Sequence, residues 1–415
     1  MDQLTHPLSG IKVVEMASYY SGPMAGMLLA ELGAEVTKVE SPSNPDFIRA
    51  GSSSPGPTSV NATFYALNRG KRFCAIDGKS TRGRALLAQL VTDADVFLHN
   101  MRPGKPEALG LGYDELSARN PGLIYAAVSG LGSDGPESQL PVYDFVIQAK
   151  VGMIEHQQGL SSERRDLVRQ VVIDKTTSNA AVQGVLAALF MRERTGVGQR
   201  VDISMVGTAL AFFWPDGMGR AHSVVDPSVP PDDLPRWVAS APGSFLVVLP
   251  TLDGEVATGL LLPTWPRLCR AIDREDLMTD ERFATPSSRM ANLPALLAEA
   301  EAAVASMTTE QALARFAEQD YAIGAVADRT QVQHDVTVGH LGLLSEQEAK
   351  GLGPVRQPKP MWSFGQAEAN LTTSIGPTGA DSVAVLTDLG LDQSEIDDLL
   401  ADGVVMVADG SAPPS

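Results

Sequence analysis

Cysteine is nearly absent from this 415-residue chain, and the two present, Cys74 and Cys269, lie far apart with no metal-ligand spacing. That excludes a disulfide framework and a thiolate zinc site, and a reduced intracellular chain with buried thiols is the simplest expectation. Histidine is scarce too, six residues with no HxH or HxxxH pair, so no metal site is expected. No run approaches the ~18 apolar residues that span a bilayer, and no charged-then-apolar leader opens the chain. Neither membrane spanning nor secretion is therefore expected, and the cytoplasm is the expected location. Basic residues are outnumbered, 32 against 50 acidic, for a formal net charge of −18. This balance argues against nucleic acid or an anionic membrane as the main partner, and a polyanionic ligand would need a local basic patch.

Apolar residues are ample at 44%, which marks a globular chain, and the length exceeds one ordinary core, so two domains are expected. Residues 11–16 read as a strand, Pro23 stands near the start of a helix that runs to Leu32 and stops at Gly33, and residues 35–40 read as the next strand. The pattern repeats, with helix 82–91 before strand 95–99 and helix 113–118 before strand 123–128. A further strand, 200–205, follows the helix after Asp174. Such alternation implies an α/β class with a mostly parallel, doubly wound sheet whose ligands sit beyond the carboxyl ends of the strands.

From about 207 to 244 the pattern dissolves into Pro and Asp. Strands 245–249 and 255–261 follow, then helices 265–272, 293–305 and 310–318, with Thr308 and Gln311 spaced as a capping box. Helices 381–389 and 392–400 close the chain. The expected organisation is a large domain over 1–215, a linker over 216–244, a small α/β domain over 245–335, and a return segment over 336–415 that completes the large domain. The last residues, 408–415, read as frayed.

Val171-Val172-Ile173 reads as a strand that ends at Asp174, and a long helix follows. Val182, Val185, Leu186, Leu189 and Phe190 share one face, and Arg192-Glu193-Arg194 close it before Gly196. Asp174 thus stands at or beside a helix N-cap. There it can cap free amides, or, kept ionised by the helix dipole, act as a nucleophile. Tyr143-Asp144 opens another helix after the Gly-rich stretch 130–136, so Asp144 is either a second cap or a second acid facing the same crevice.

Ser21-Gly22-Pro23-Met24-Ala25-Gly26 opens a helix after a strand, yet it lacks the GxGxxG spacing of a nicotinamide-binding turn, and tight strand-to-helix packing accounts for its glycines. Asn68-Arg69-Gly70-Lys71-Arg72 and Asn100-Met101-Arg102-Pro103-Gly104-Lys105 hold five basic residues and no acid. Both read as loops, either phosphate-binding or merely solvated.

Together these segments resemble the class III CoA-transferase family, the group of formyl-CoA transferase and the carnitine CoA-transferases. The resemblance covers almost the whole chain, through Pro7-Leu8-Ser9-Gly10, Gly22-Pro23, Leu29-Ala30-Glu31-Leu32-Gly33-Ala34-Glu35-Val36, Lys38-Val39-Glu40, the two basic segments, Tyr143-Asp144, Asp174, and Arg194-Thr195-Gly196-Val197-Gly198-Gln199. It implies a Rossmann-like doubly wound large domain, a smaller α/β domain and an interlocked homodimer. The implied activity moves CoA from an acyl-CoA donor to a carboxylic acid acceptor, with Asp174 as the catalytic aspartate that carries an aspartyl-CoA thioester. No permanently bound cofactor is implied, since coenzyme A arrives as substrate.

Carried over position by position, the resemblance puts Tyr20, Ser21, Ile76, Lys79, Asn100, Met101 and Arg102 around CoA, and Tyr143 and Asp144 near the thioester. Two departures stand out. An arginine common in the family after the RPG-like turn is Ala108 here, and the position after Val39-Glu40 that is basic in formyl-CoA transferase is Ser41. Phosphate contacts are therefore expected to shift to Lys71, Arg72 or Lys105. The glycine-rich loop of formyl-CoA transferase has no visible counterpart, so formate or oxalate specificity is not expected.

A rival of the same fold is the α-methylacyl-CoA racemase, which moves a proton with a His and an Asp. Its histidine position is Tyr143 here, a weak base with an ordinary pKa near ~10. A non-catalytic CoA-binding protein is the third possibility, disfavoured by the intact Asp174. Phe212-Phe213-Trp214-Pro215-Asp216-Gly217-Met218 is expected to be core or dimer packing. Lys175, Arg164, Arg165 and Arg169 read as a solvated basic surface or, alternatively, as a seat for the second carboxylate of a dicarboxylic substrate.

Overall fold

The computed structural model describes residues 6–50, 61–156, 165–217, 245–261, 264–349 and 352–408. Arg164, Met218, the Pro-rich centre of the expected linker and the tail 409–415 lie outside these residues. The chain divides into two compact units, one of Met1–Gln148, Arg169–Ala209 and Gly342–Ser415, the other of Ala149–Val168 and Leu210–Leu341.

The strands are β1 (Lys12–Met16), β2 (Glu35–Glu40), β3 (Arg72–Ile76), β4 (Val96–His99), β5 (Ile124–Ser129), β6 (Gln199–Ser204), β7 (Leu246–Pro250), β8 (Glu255–Gly259), β9 (Ile323–Ala325), β10 (Leu344–Ala349), β11 (Gly353–Pro358) and β12 (Val405–Met406). The helices that matter for the site are α1 (Ser21–Glu31), α2 (Ala62–Asn68), α3 (Thr81–Thr92), α4 (Lys105–Ala108), α5 (Tyr113–Arg119), α6 (Asp144–Lys150), α7 (Met153–His156) and α8 (Val172–Thr195).

The first unit holds a seven-stranded sheet in the order β12-β3-β2-β1-β4-β5-β6. Its pairs are parallel except β12 on β3. Helices cover both faces, so β4 (VFLH) and β5 (IYAAVS) read as largely apolar runs. Val13, Val96 and Leu98 face one side with Leu28 and Leu29 of α1 and Val182 and Val185 of α8. Val14 and Phe97 face the other, with Leu87 of α3, Leu116 of α5, and Leu386 and Leu399 from the helices Ser382–Asp388 and Gln393–Ala401. The strand order 3-2-1-4-5-6 reverses its winding between β1 and β4, which opens a crevice at their carboxyl ends.

Three expectations are corrected. The segment 68–72, expected as a loop, ends α2 at Asn68 and already enters β3 at Arg72, because Arg72, Phe73, Cys74 and Ala75 pair with β2. Residues 171–173 are not a strand, since Val172 already begins α8. Phe190 is 64% exposed, whereas Val182, Val185 and Leu189 are buried as their spacing predicts.

The second unit pairs β7-β8-β9 antiparallel. Leu268, Phe283, Leu296 and Phe316 form its core. Thr308 and Gln311 cap the helix Thr309–Glu318 reciprocally, as their spacing predicts. Phe213 is buried and its ring centroid lies 5.5 Å from that of His156, while Phe212 and Trp214 are exposed.

Candidate active site

The crevice is built from two strand exits. Ser18 N–H donates to Asn100 Oδ1 at 3.0 Å, and Asn100 Nδ2 donates to Ser18 O at 2.7 Å, which ties the loop after β1 to the loop after β4. Gly22 lets α1 begin hard against both loops, since a Cβ there would lie 2.4 Å from Ala17 Cβ. Ser21 opens α1, and Ser178 Oγ, on α8, lies 2.8 Å from Ser21 O and 2.8 Å from Asp174 O.

α8 starts abruptly. Val171 before it sits in the left-handed region at φ 33° and offers no side-chain cap. The cap comes from elsewhere: Asp144, the first residue of α6, accepts the amides of Ile173 at 2.6 Å and Asp174 at 3.1 Å on Oδ2, and Gln148 Nε2 on Oδ1. Asp144 therefore takes the capping role that the spacing had offered to Asp174. Asp174 is the third residue of the helix, with its carboxylate released from that duty.

That carboxylate is 2% exposed, and its Oδ2 has no hydrogen-bond partner among the described residues. Burial, then the negative charge of Asp144, raise its pKa from 3.8 to about 7, opposed by the Ser21 hydroxyl and amide. The helix dipole alone predicts a carboxylate fully ionised at neutral pH. Desolvation outweighs the dipole here and favours the protonated form.

Rings crowd the same mouth. Tyr19, at φ 71°, donates its N–H to Asp46 Oδ1 at 3.3 Å. Its ring contacts Tyr20, Phe47 and Tyr143 at centroid distances of 5.0, 5.2 and 5.1 Å. Burial first, then the charge of Asp174, push the Tyr19 phenol up. Behind it lies a buried ion network. Lys38 Nζ meets Glu15 at 3.0 Å, Asp46 at 3.2 Å and Ala17 O at 2.6 Å.

Lys71 belongs to that network and not to any phosphate-binding surface. Its Nζ lies 2.7 Å from Glu15 Oε2, 2.8 Å from Pro23 O and 2.7 Å from Asn68 Oδ1, and burial pulls its pKa down to about 7. Arg69 is likewise consumed, by the buried Glu31. Arg72 starts β3, so strand direction puts it at the amino edge of the sheet, away from the crevice. It pairs with Asp388 at 2.8 Å in a cleft of about 300 Å3 that Lys12, Glu35 and Asp93 also line.

Arg102 and Lys105, past the end of β4, are exposed and have no ion pair among the described residues. Lys79 is exposed beyond the carboxyl end of β3, Ile76 is buried at that end, and Met101 packs partly against the core. Ala108 is exposed and Ser41 half-buried, neither able to supply a cation.

The structure thus gathers Tyr20, Ser21, Asn100, Tyr143, Asp144 and Asp174 at one crevice, with Arg102, Lys105 and Lys79 along the same edge of the sheet. Tyr19, Phe47, Phe145, Asp46 and Ser178 also belong here and were not singled out from the sequence. Only the doubled Tyr19-Tyr20 at a strand exit could have signalled them. His99, ending β4, is buried with its pKa down to about 3 by burial, and Nδ1 takes the Met101 amide at 3.3 Å, so the ring stays neutral. Among the described residues no cluster of His, Cys, Asp or Glu could hold a metal, and no helix is long and apolar enough to cross a membrane.

A doubly wound sheet with a desolvated acid at its switch point defines an α/β enzyme that works on a ligand held beyond the strand ends. Residues 8–382 match CoA-transferase family III, and the chain belongs to that family. It is 34% identical over 310 residues to the probable fatty acyl-CoA transferase Rv3272 of Mycobacterium tuberculosis, covering 74% of this chain and 78% of that protein. Over 406 residues it is 28% identical to succinyl-CoA:glutarate CoA-transferase of Homo sapiens, covering 96% of this chain and 90% of that one. The crystal structure of a CAIB/BAIF family protein from Brucella suis matches with a TM-score of 0.77 at 28% identity, over 93% of this chain and 100% of the other. The chain is a CoA-transferase, as its motifs predict.

Proposed function

We propose that this enzyme moves CoA from an acyl-CoA donor to a carboxylic acid through a thioester on Asp174. The carboxylate of Asp174 attacks the donor's carbonyl and expels CoA thiolate, leaving a mixed anhydride. The thiolate then attacks the aspartyl carbonyl, forming aspartyl-CoA and releasing the donor acid. The acceptor carboxylate attacks that thioester, and the freed thiolate attacks the acceptor's side of the new anhydride, which restores the aspartate and yields the new acyl-CoA. One thioester replaces another, so no nucleotide hydrolysis is needed.

The observation that carries this reading is a buried aspartate with a free Oδ2 at the switch point, relieved of capping by Asp144. Removal from water raises the free energy of the charged carboxylate, which offsets part of its weakness as a nucleophile. The anhydride still lies uphill, and binding of the remote nucleotide end of CoA is the proposed source of the rest. Arg102, Lys105 and Lys79 are the proposed phosphate contacts, with Tyr20, Ser21, Ile76, Asn100 and Met101 along the CoA arm and Tyr143 and Asp144 at the thioester.

We also propose an interlocked homodimer, a reading that the family resemblance supports and that exposed Phe190, Met191 and Val197 on and after α8 favour. The two thiols, buried and unpaired, fit a reducing compartment, and the cytoplasm is the proposed location. Intact-protein mass spectrometry after mixing with acyl-CoA donors should find a CoA adduct that maps to Asp174. In Asp174→Ala the adduct and the transfer should vanish while CoA still binds. Activity within a few-fold of wild type in that variant would refute the role.

A further inference from the structure

We infer that the acid served by this site is an apolar monocarboxylate, and that Tyr19 selects it. The inference deepens the CoA-transfer reading above and rests on it. Five rings form an unbroken chain across the mouth: Tyr20 to Tyr19, Tyr19 to Phe47 and to Tyr143, and Tyr143 to Phe145 at 6.1 Å. Phe47, Tyr143 and Phe145 are 57%, 44% and 54% exposed. A contiguous exposed aromatic surface of this kind marks a binding site rather than chance surface composition. It begins at the proposed nucleophile, since Tyr20 precedes Ser21, Tyr143 precedes Asp144, and the charge of Asp174 is felt at the Tyr19 phenol.

Charge bears on what kind of acid fits. The charged group that shifts the Asp174 carboxyl is another anion, Asp144, while Lys175, its neighbour in the chain, is exposed. A dicarboxylate would bring a second negative charge beside the two carboxylates of Asp144 and Asp174. A monocarboxylate brings only the charge that the reaction consumes, and its apolar remainder gains by covering the rings.

Tyr19 is the best-held member of the wall. Its left-handed backbone, rare for a residue with a bulky side chain, is fixed through Asp46 to Lys38, and Lys38 also grips Ala17 O in the same loop. A side chain pre-set in this way gives up little freedom when a substrate docks.

The test is a set of kcat/KM values for hexanoate, phenylacetate, acetate, oxalate and succinate as acceptors, with wild type, Tyr19→Ala and Phe47→Ser. Wild type should favour hexanoate and phenylacetate over oxalate and succinate by at least about tenfold, and the hexanoate-to-acetate ratio should fall about tenfold in each variant. Phe47 is exposed, so Phe47→Ser keeps the test open if Tyr19→Ala does not fold. A wild-type preference for a dicarboxylate, or an unchanged ratio in the folded variants, overturns the inference. If the Asp174 adduct forms with donor alone while a dicarboxylate is preferred, only this inference falls. If no adduct forms, the transfer reading falls with it.

Discussion

Burial lifts the Asp174 carboxyl from 3.8 to about 7, and the shift has a sign. The unfolded chain gives up this proton near 3.8 while the folded chain keeps it until about 7, so stability is lost as pH rises through that window. At ~1.36 kcal/mol per pH unit the upper bound is about 4 kcal/mol. Asp174→Asn should therefore match wild type below pH ~4 and become more stable than wild type above pH ~7, while losing transfer. Thermal melts at the two pH values check it, and equal melting temperatures at the higher pH would count against an internal charge. The reactive form is the ionised one, so kcat/KM for the donor should rise with pH and level off above about 7. Asp144→Asn keeps an oxygen for the Ile173 and Asp174 amides but removes the second cause of the shift, so the midpoint of that rise should move to lower pH.

At the scale of elements, α1 lies so close to β1 that a Cβ at Gly26 would come within 2.0 Å of Glu15 Oε2. Glu15 holds two buried ammonium groups, those of Lys38 and Lys71. Gly26→Ala should displace it and leave both underpaired, at a cost of about 3–5 kcal/mol, read as a lower urea midpoint. An unchanged midpoint would mean that the network tolerates the intrusion. Element type was readable where periodicity is local and long: β1, β2, α3, α5 and the body of α8 follow their residue patterns. β3 was not readable, because Lys71 and Arg72 at its start suggested a solvated turn. Their partners, Glu15 and Asp388, come from distant parts of the chain.

Across the whole molecule, a chain of net charge −18 must bind a polyanion. Long-range repulsion leaves the local cations to hold the phosphates. Arg102→Ala and Lys105→Ala should raise KM for CoA donors with kcat little changed, and the increase should shrink at high salt as screening weakens the lost contacts. Unchanged KM in both would move the phosphates elsewhere. If the proposed interlocked dimer exists, its subunits cannot part without unfolding. Sedimentation should then show dimer down to the lowest detectable concentration, and a monomer peak there would defeat the proposal.

The order of residues by itself determined the family, the alternation of strands and helices, and the acid at the start of α8, since these depend on neighbours a few positions apart. Tertiary structure decided the rest. It showed that Asp144 rather than Asp174 caps α8, that Lys71 is an internal cation and Arg72 faces the wrong edge, and that Tyr19, Phe47, Tyr143 and Phe145 meet at one mouth. The reason is that desolvation and strand direction are set by residues far away in the chain, and no local spacing reports how much water a charge retains.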